Sequence, residues 1–319
     1  MYSYKDIVLL PEYSEFTSRT ETNKNVKFLD RTFNSVAIPA NMKCTINFSK
    51  AVELAEQQYF YVLHRFYDYE KIFNWIKHNQ DIFISISVGV KQQDYDFISK
   101  LAASNYRVDY ITVDVAHGHH ILVKNIIKHI KNCNWTTGVM PKIIAGNIGT
   151  RRAALDLREW GADAVKIGLS MGKSCTTYNC TGVGTPMFSA VQQVCFTSQN
   201  EYNPPLPVIA DGQIREVGDI CKALVAGASM VMVGSEFAKC SDSPADTLDN
   251  MKIFFGSASS FNKDGTNFIE GQKVLLEQRT ENYFQFLKRI NEGVQSCMSY
   301  AGVSNTNELH EMQYAIRTC

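Results

Sequence analysis

The sequence has no excess of either charge. Its 319 residues carry 32 Lys+Arg and 32 Asp+Glu, a formal net charge of zero. No basic block marks a nucleic-acid surface, and no acidic tail is present. No apolar run approaches the roughly 18 residues of a membrane-spanning helix. The first thirteen residues, MYSYKDIVLLPEY, hold one short apolar run and no small-residue cleavage site, so they do not read as a secretory signal. The nine cysteines are odd in number and scattered, without C-x-x-C pairs, which leaves no disulfide framework. Reduced thiols in a cytoplasmic protein are expected, with no nucleic-acid or membrane partner. No linker, repeat or low-complexity segment divides the chain, so residues 1–319 are expected to form one domain.

What is present suffices for a large core: 45% of residues are hydrophobic and 11% aromatic. Eight short apolar runs read as strands: Val36–Ala40, Tyr59–His64, Phe83–Val88, Tyr110–Val115, Lys142–Gly146, Ala164–Gly168, Pro207–Ala210 and Met230–Gly234. Several are near-continuously apolar, as strands covered on both faces should be. Between them lie helical patterns at Phe48–Gln58, Glu70–Lys77, Gln92–Ser104, Ile121–Lys131, Arg151–Trp160 and Val217–Val225. Ser49, Asp68 and Thr150 are expected N-caps, and Gly161 and Gly227 expected C-terminal stops. This alternation predicts an α/β TIM (β/α)8 barrel, with a doubly wound open sheet as the structural alternative. The last ~85 residues are then barrel closure plus insertions.

In a parallel barrel the chemistry sits at the C-terminal strand ends. After the Ala164 strand comes a Gly-rich loop, Lys166 to Pro186, of a length that is usually functional. Cys175 lies in it, two positions after Lys173, whose cation would favour the nucleophilic thiolate. The alternative is one more unreactive cysteine. The loops Asp211-Gly212-Gln213 and Gly234-Ser235 follow the last two strands, where barrels often hold phosphate, and Asp211 could take a ribose; Asp-Gly may equally be a turn and nothing more. His117, His119 and His120 crowd one turn, but adjacent side chains there do not converge on a metal without a further ligand. Asp114 could orient a ligand or cap a helix, and Arg65 could meet a phosphate or form a surface ion pair. Glu270, in the polar stretch 257–272, could move protons or be a solvated charge.

These residues together carry a resemblance. DIVLLPEYSEFTSR, IPANM, YFYVLHRF, SISVGV, YITVDVAHGH, IIAGNIGT, SMGKSCTTYNCTGVGTP, IADGQIR, MVMVGSEFA, FFGSASSF, FIEGQK and MSYAGV follow one another along nearly the whole chain. In this the chain resembles the IMP dehydrogenase/GMP reductase family, whose fold is a TIM barrel. The resemblance implies NADPH-dependent reductive deamination of GMP to IMP and ammonia, with Cys175 as nucleophile and a covalent thioimidate intermediate. It implies proton handling by Thr177 and Glu270. Asp211 matches the ribose ligand, and Gly212, Gln213, Gly234 and Ser235 the phosphate groups. Gly256, Ser257 and Ala258 match a further nucleotide segment. Arg65, Asp114, Ala116, His117 and Gly168 fall on the cofactor side, with Ser18, Arg19 and Tyr300. Carbonyls of Ser170, Gly172 and Cys175 match a monovalent cation (K+) site, and relatives are homotetramers.

Dehydrogenases of the family usually carry a regulatory domain inserted after the second strand. Here only about 19 residues separate that strand from the next, so no inserted domain is expected. They also carry an Arg-Tyr pair on the active-site flap, an insertion near the C-terminus that activates water. The matching stretch, GSASSFNKDGTNFIEGQK, has neither residue. The reductase reading therefore leads. A dehydrogenase lacking its regulatory domain and a catalytically impaired purine-nucleotide-binding homologue are the alternatives. The last is motivated by Ser170 and Gln213, which stand where the family usually has glycine.

Overall fold

The computed structural model describes residues 1–170, 172–201, 203–256 and 271–317. Seven strands form its central parallel sheet: Ala37–Pro39, Ser85–Val88, Tyr110–Asp114, Lys142–Ile148, Ala164–Ile167, Val208–Asp211 and Met230–Val233. Neighbours in the sheet are neighbours in sequence, and the first strand pairs with the last, Ala37 opposite Val231. A doubly wound sheet reverses its order at a switch point. This one does not, and the first-to-last pairing makes it a TIM-type barrel, as expected.

The expected strand Tyr59–His64 is reduced to one parallel bridge between Leu63 and Ile86. Leu63 N donates to Ser85 O at 3.0 Å, and Ser87 N to Leu63 O at 2.9 Å. The preceding residues follow side-chain packing rather than the ladder. Phe60 stacks on Phe33 at 5.0 Å and meets Tyr110 edge-on at 5.6 Å. Phe33 and Phe28 arrive from the antiparallel pair Val26–Phe28 and Arg31–Phe33. Such ring pairs favour edge and offset geometries and add to the burial of each ring.

The helices Arg151–Trp160 and Val217–Val225 have the expected bounds, and Tyr69–His78, Gln92–Ala102 and Ile121–Asn132 shift by a residue or two. Asp68 and Thr150 cap as expected, accepting from Glu70 N at 2.8 Å and Ala153 N at 3.3 Å. Ser49 does not. Asn47 has extended backbone and accepts from Lys50 N at 2.8 Å, and Ser49 is already inside the helix Phe48–Glu56. Gly161 and Gly227 take positive φ, 113° and 102°, just past their helices.

Two long helices go beyond the sequence reading, Met187–Glu201 and Tyr283–Ala301, as do the short Thr177–Thr181 and Ser235–Ala238. The strands Thr247–Leu248, Met251–Phe255 and Lys273–Glu277 form a small antiparallel sheet beyond the barrel. The last two flank the expected flap, whose residues 257–270 lie outside those described. Near the ends of the chain, Ile7–Leu9 pairs with Tyr314–Ile316, and one cluster of buried apolar side chains runs from Tyr4 to Met312.

Candidate active site

Several strand ends meet at one buried lysine. Lys166 lies in the Ala164–Ile167 strand with its side chain 3% exposed. Its Nζ is 3.0 Å from Asp114 Oδ1 and 2.7 Å from Asp211 Oδ2. Asn147 donates Nδ2 to that same Asp211 oxygen and to Gly168 O, both at 2.8 Å. A buried ammonium is tolerated only when paired in this way. Burial disfavours the charged lysine, but Asp114 and Asp211 outweigh it and its pKa rises. Burial likewise pushes the Asp114 carboxyl up, and Lys166 and then Arg65 more than reverse this, leaving it below the usual value.

Gly168 ends the lysine's strand with φ of 148°. A Cβ there would lie 1.7 Å from Asp211 O. Only glycine permits this approach, which sets the root of the Cys175 loop against the Asp211 backbone.

The Cys175 thiol is partly buried and donates to Thr177 Oγ1 at 3.3 Å. Thr177 opens the short helix Thr177–Thr181. Lys173 is exposed on the loop. The small antiparallel sheet holds the loop from the other side. Cys175 forms a bridge with Gly271, Gln272 N donates to Ser174 O at 2.9 Å, and a Cβ on Gly256 would sit 3.1 Å from Ser174 Oγ. Of the other flap residues, Ser257, Ala258 and Glu270 lie outside those described.

The Asp211 and Met232 positions are paired in register, so the loops 212–213 and 234–235 leave the barrel side by side. Gly234 caps the one-turn helix Ser235–Ala238, and Ser235 is buried. The next residue, Glu236, is buried and paired with Lys239 at 2.7 Å and with Arg279. Gln213 and Ser170 both take left-handed backbone, with φ of 60° and 64°. These two departures from glycine thus keep a glycine-like backbone at the strain typical of functional loops.

Among the residues expected to meet a cofactor, Arg65 stacks over Phe66 at 5.0 Å, and its Nε is buried without a protein partner. Ala116 and His117 are exposed, on a turn tied to Asn147: Asn147 N donates to Val115 O at 2.8 Å and Gly118 N to Asn147 O at 2.6 Å. Burial, then His119 and His120, lower the His117 pKa. The three histidines diverge. His119 pairs with Asp156 at 2.8 Å, and His120 caps its helix by accepting from Leu122 N at 3.1 Å. Among the described residues, no group of three His, Cys, Asp or Glu side chains is arranged to hold a metal. Asp114 is no helix cap, since its carboxylate faces Lys166.

Ser18, Arg19 and Tyr300 form their own group. Ser18 caps the turn Arg19–Glu21, and Arg19 donates to Ser296 Oγ at 2.9 Å and lies over the Tyr300 ring at 5.7 Å. These contacts run to the helix Tyr283–Ala301, not to the Lys166 cluster.

Lys166 and Asn147 are absent from the residues singled out in the sequence. A lysine inside the apolar run Ala-Val-Lys-Ile is the one signal for the first, because a buried charge needs a specific partner.

The assembled site has a thiol beside a hydroxyl, a fixed carboxylate pair on a lysine, and two adjacent loops suited to an anionic ligand. A family model described as the IMP dehydrogenase / GMP reductase domain matches residues 1–319. The chain is 41% identical to a GMP reductase of Ligilactobacillus salivarius over 99% of this chain and 96% of that one. It is 40% identical to GMP reductases of Staphylococcus aureus and Staphylococcus saprophyticus, over 99% of its length and 96% and 95% of theirs. The chain therefore belongs to the IMP dehydrogenase / GMP reductase family.

Proposed function

We propose that this protein is an NADPH-dependent GMP reductase that converts GMP to IMP and ammonia. The observation that carries the reading is the Cys175–Thr177 contact of 3.3 Å, on a loop rooted against Asp211. The relatives named GMP reductase, at 40–41% identity over 99% of the chain, support the same reaction.

In this mechanism Cys175 Sγ attacks C2 of the purine. The 2-amino group leaves as ammonia after gaining a proton, and a C2–S thioimidate remains. When bound, NADPH supplies a hydride to C2. The C–S bond then breaks, and IMP and the thiolate are released. Thr177 orients the thiol and shares proton transfer with Glu270. Asp211 takes the ribose hydroxyls, and backbone groups of Gly212, Gln213, Gly234 and Ser235 take the phosphate, with Gly256, Ser257 and Ala258 beside the nucleotide. Asp114, Ala116, His117 and Gly168 face the nicotinamide cofactor. Arg65 fits an anionic cofactor, since its guanidinium retains a buried N–H without a protein partner. Ser18, Arg19 and Tyr300 complete the proposed cofactor side.

A monovalent cation suits backbone carbonyls of Ser170, Gly172 and Cys175. Gly172 O already accepts Cys175 N at 3.0 Å, and a carbonyl retains a second lone pair for an ion. Cytoplasmic location and a homotetramer belong to the same proposal. The missing Arg-Tyr pair in residues 256–273 opposes the dehydrogenase reading, because hydrolysis of the intermediate would lack its water activator.

The test follows NADPH absorbance on adding GMP, with ammonia and IMP assayed in parallel. Matching loss of NADPH and gain of both products is expected. Cys175→Ala should abolish turnover while GMP still binds. Production of XMP from IMP and NAD, or GMP binding without turnover by the unaltered enzyme, would overturn the reading.

A further inference from the structure

We infer that Lys166 is a positioning residue that fixes the rotamer of Asp211 and, through Asp114, ties the nucleotide and cofactor subsites together. This rests on the proposed function for the identity of the ligands. The geometry comes from the cluster itself.

Asp211 Oδ2 receives two donors, Lys166 Nζ at 2.7 Å and Asn147 Nδ2 at 2.8 Å. Two donors on one oxygen lock the carboxylate plane and leave Oδ1 to meet the ligand. Lys166 is 3% exposed and Asp211 21%, so the lock lies below the face the ligand reaches. The second arm of the lysine goes to Asp114 Oδ1 at 3.0 Å. Asp114 and Asp211 end strands three positions apart in the sheet, with the Lys142–Ile148 and Ala164–Ile167 strands between them. Without the cation, two carboxylates would share one partly buried space, and like charges so placed resist ionising together. A ligand held by Asp211 therefore depends on a lysine it does not touch.

The other groups around the cluster do not replace this role. Arg65 acts on Asp114 as a second, weaker cation. Tyr4, itself buried with its pKa raised first by burial, carries no positive charge. Asn147 is neutral and cannot balance a carboxylate.

Lys166→Met is the direct perturbation, but two unbalanced carboxylates could prevent folding. Lys166→Met/Asp114→Asn keeps the local net charge of the native cluster and removes the same donor from Asp211. GMP affinity is measured by titration calorimetry, together with the KM for NADPH. The double variant should bind GMP about tenfold to a hundredfold more weakly, the scale of a lost charged hydrogen bond. Adding Asp211→Asn to it should cost far less affinity than Asp211→Asn costs the native enzyme, since residues acting through one another are non-additive. A folded double variant with native GMP affinity would overturn the inference. So would full additivity with Asp211→Asn, the result of a merely structural role. Failure of the unaltered enzyme to bind GMP would instead overturn the proposed function.

Discussion

Gly168→Ala tests the contact that roots the Cys175 loop. The added Cβ would lie 1.7 Å from Asp211 O, where ordinary contacts begin near 3.4 Å. The two strand ends must therefore part by about 1.7 Å, or the loop must re-route. Either response breaks the bond from Asn147 to Gly168 O or the Lys166–Asp211 pair, each about 1–3 kcal/mol. Alanine at this φ adds roughly 1–3 kcal/mol of backbone strain. The total is about 2–6 kcal/mol. Gly138→Ala is the control, since its φ is 71° and a Cβ there meets nothing within 4 Å. It should cost only about 1–2 kcal/mol, the left-handed penalty without a clash. Urea denaturation gives both stabilities, and GMP titration reports on Asp211. Equal stability loss in the two variants, with GMP affinity unchanged in Gly168→Ala, would refute the close approach.

Three further outcomes follow from single side chains. Burial, then Lys43, holds the His64 pKa down to about 3 from 6.5, so His64 stays neutral when folded and takes a proton when unfolded. Its contribution is complete above pH 6.5 and is lost as pH falls toward 3, on the order of 5 kcal/mol in all; His64→Gln should flatten this part of the stability profile, and an unchanged acid slope would refute it. Asn47→Ala should cost about 1 kcal/mol in chemical denaturation, and Ser49→Ala close to none; the reverse order would restore Ser49 as the cap. Ser170→Gly should stabilise by up to about 1 kcal/mol by relieving left-handed strain, with turnover changed less than about twofold. A large gain in turnover would instead mean that Ser170 impairs the native enzyme.

The sequence made legible those parts of the site that lie close together along the chain. Cys175 and Thr177 are two residues apart, and Asp211 ends a strand whose loop names it, so motif and position agree with the contacts found. Two kinds of feature were out of reach. The first is pairing between distant segments. Nothing local in Gly271 says that its backbone meets Cys175, or in Gly256 that it packs on Ser174. The second is what a residue faces once a strand is buried on both sides. Lys166 reads as an interruption of an apolar run, and its meaning depends on carboxylates 52 residues before it and 45 after it in the chain. The lost strand Tyr59–His64 has the same origin. Its apolar pattern is correct for a strand, and the aromatic cluster around Phe60 decides otherwise. The missed helix Met187–Glu201 buries Met187, Phe188, Val191 and Val194 yet exposes Phe196, so its pattern never resolves into one stripe. Ser170 and Gln213 show the converse. Their side chains depart from the family pattern, and their backbones still take the conformation that glycine would. In a loop proposed to work through carbonyls and N–H groups, φ constrains function more tightly than residue identity does.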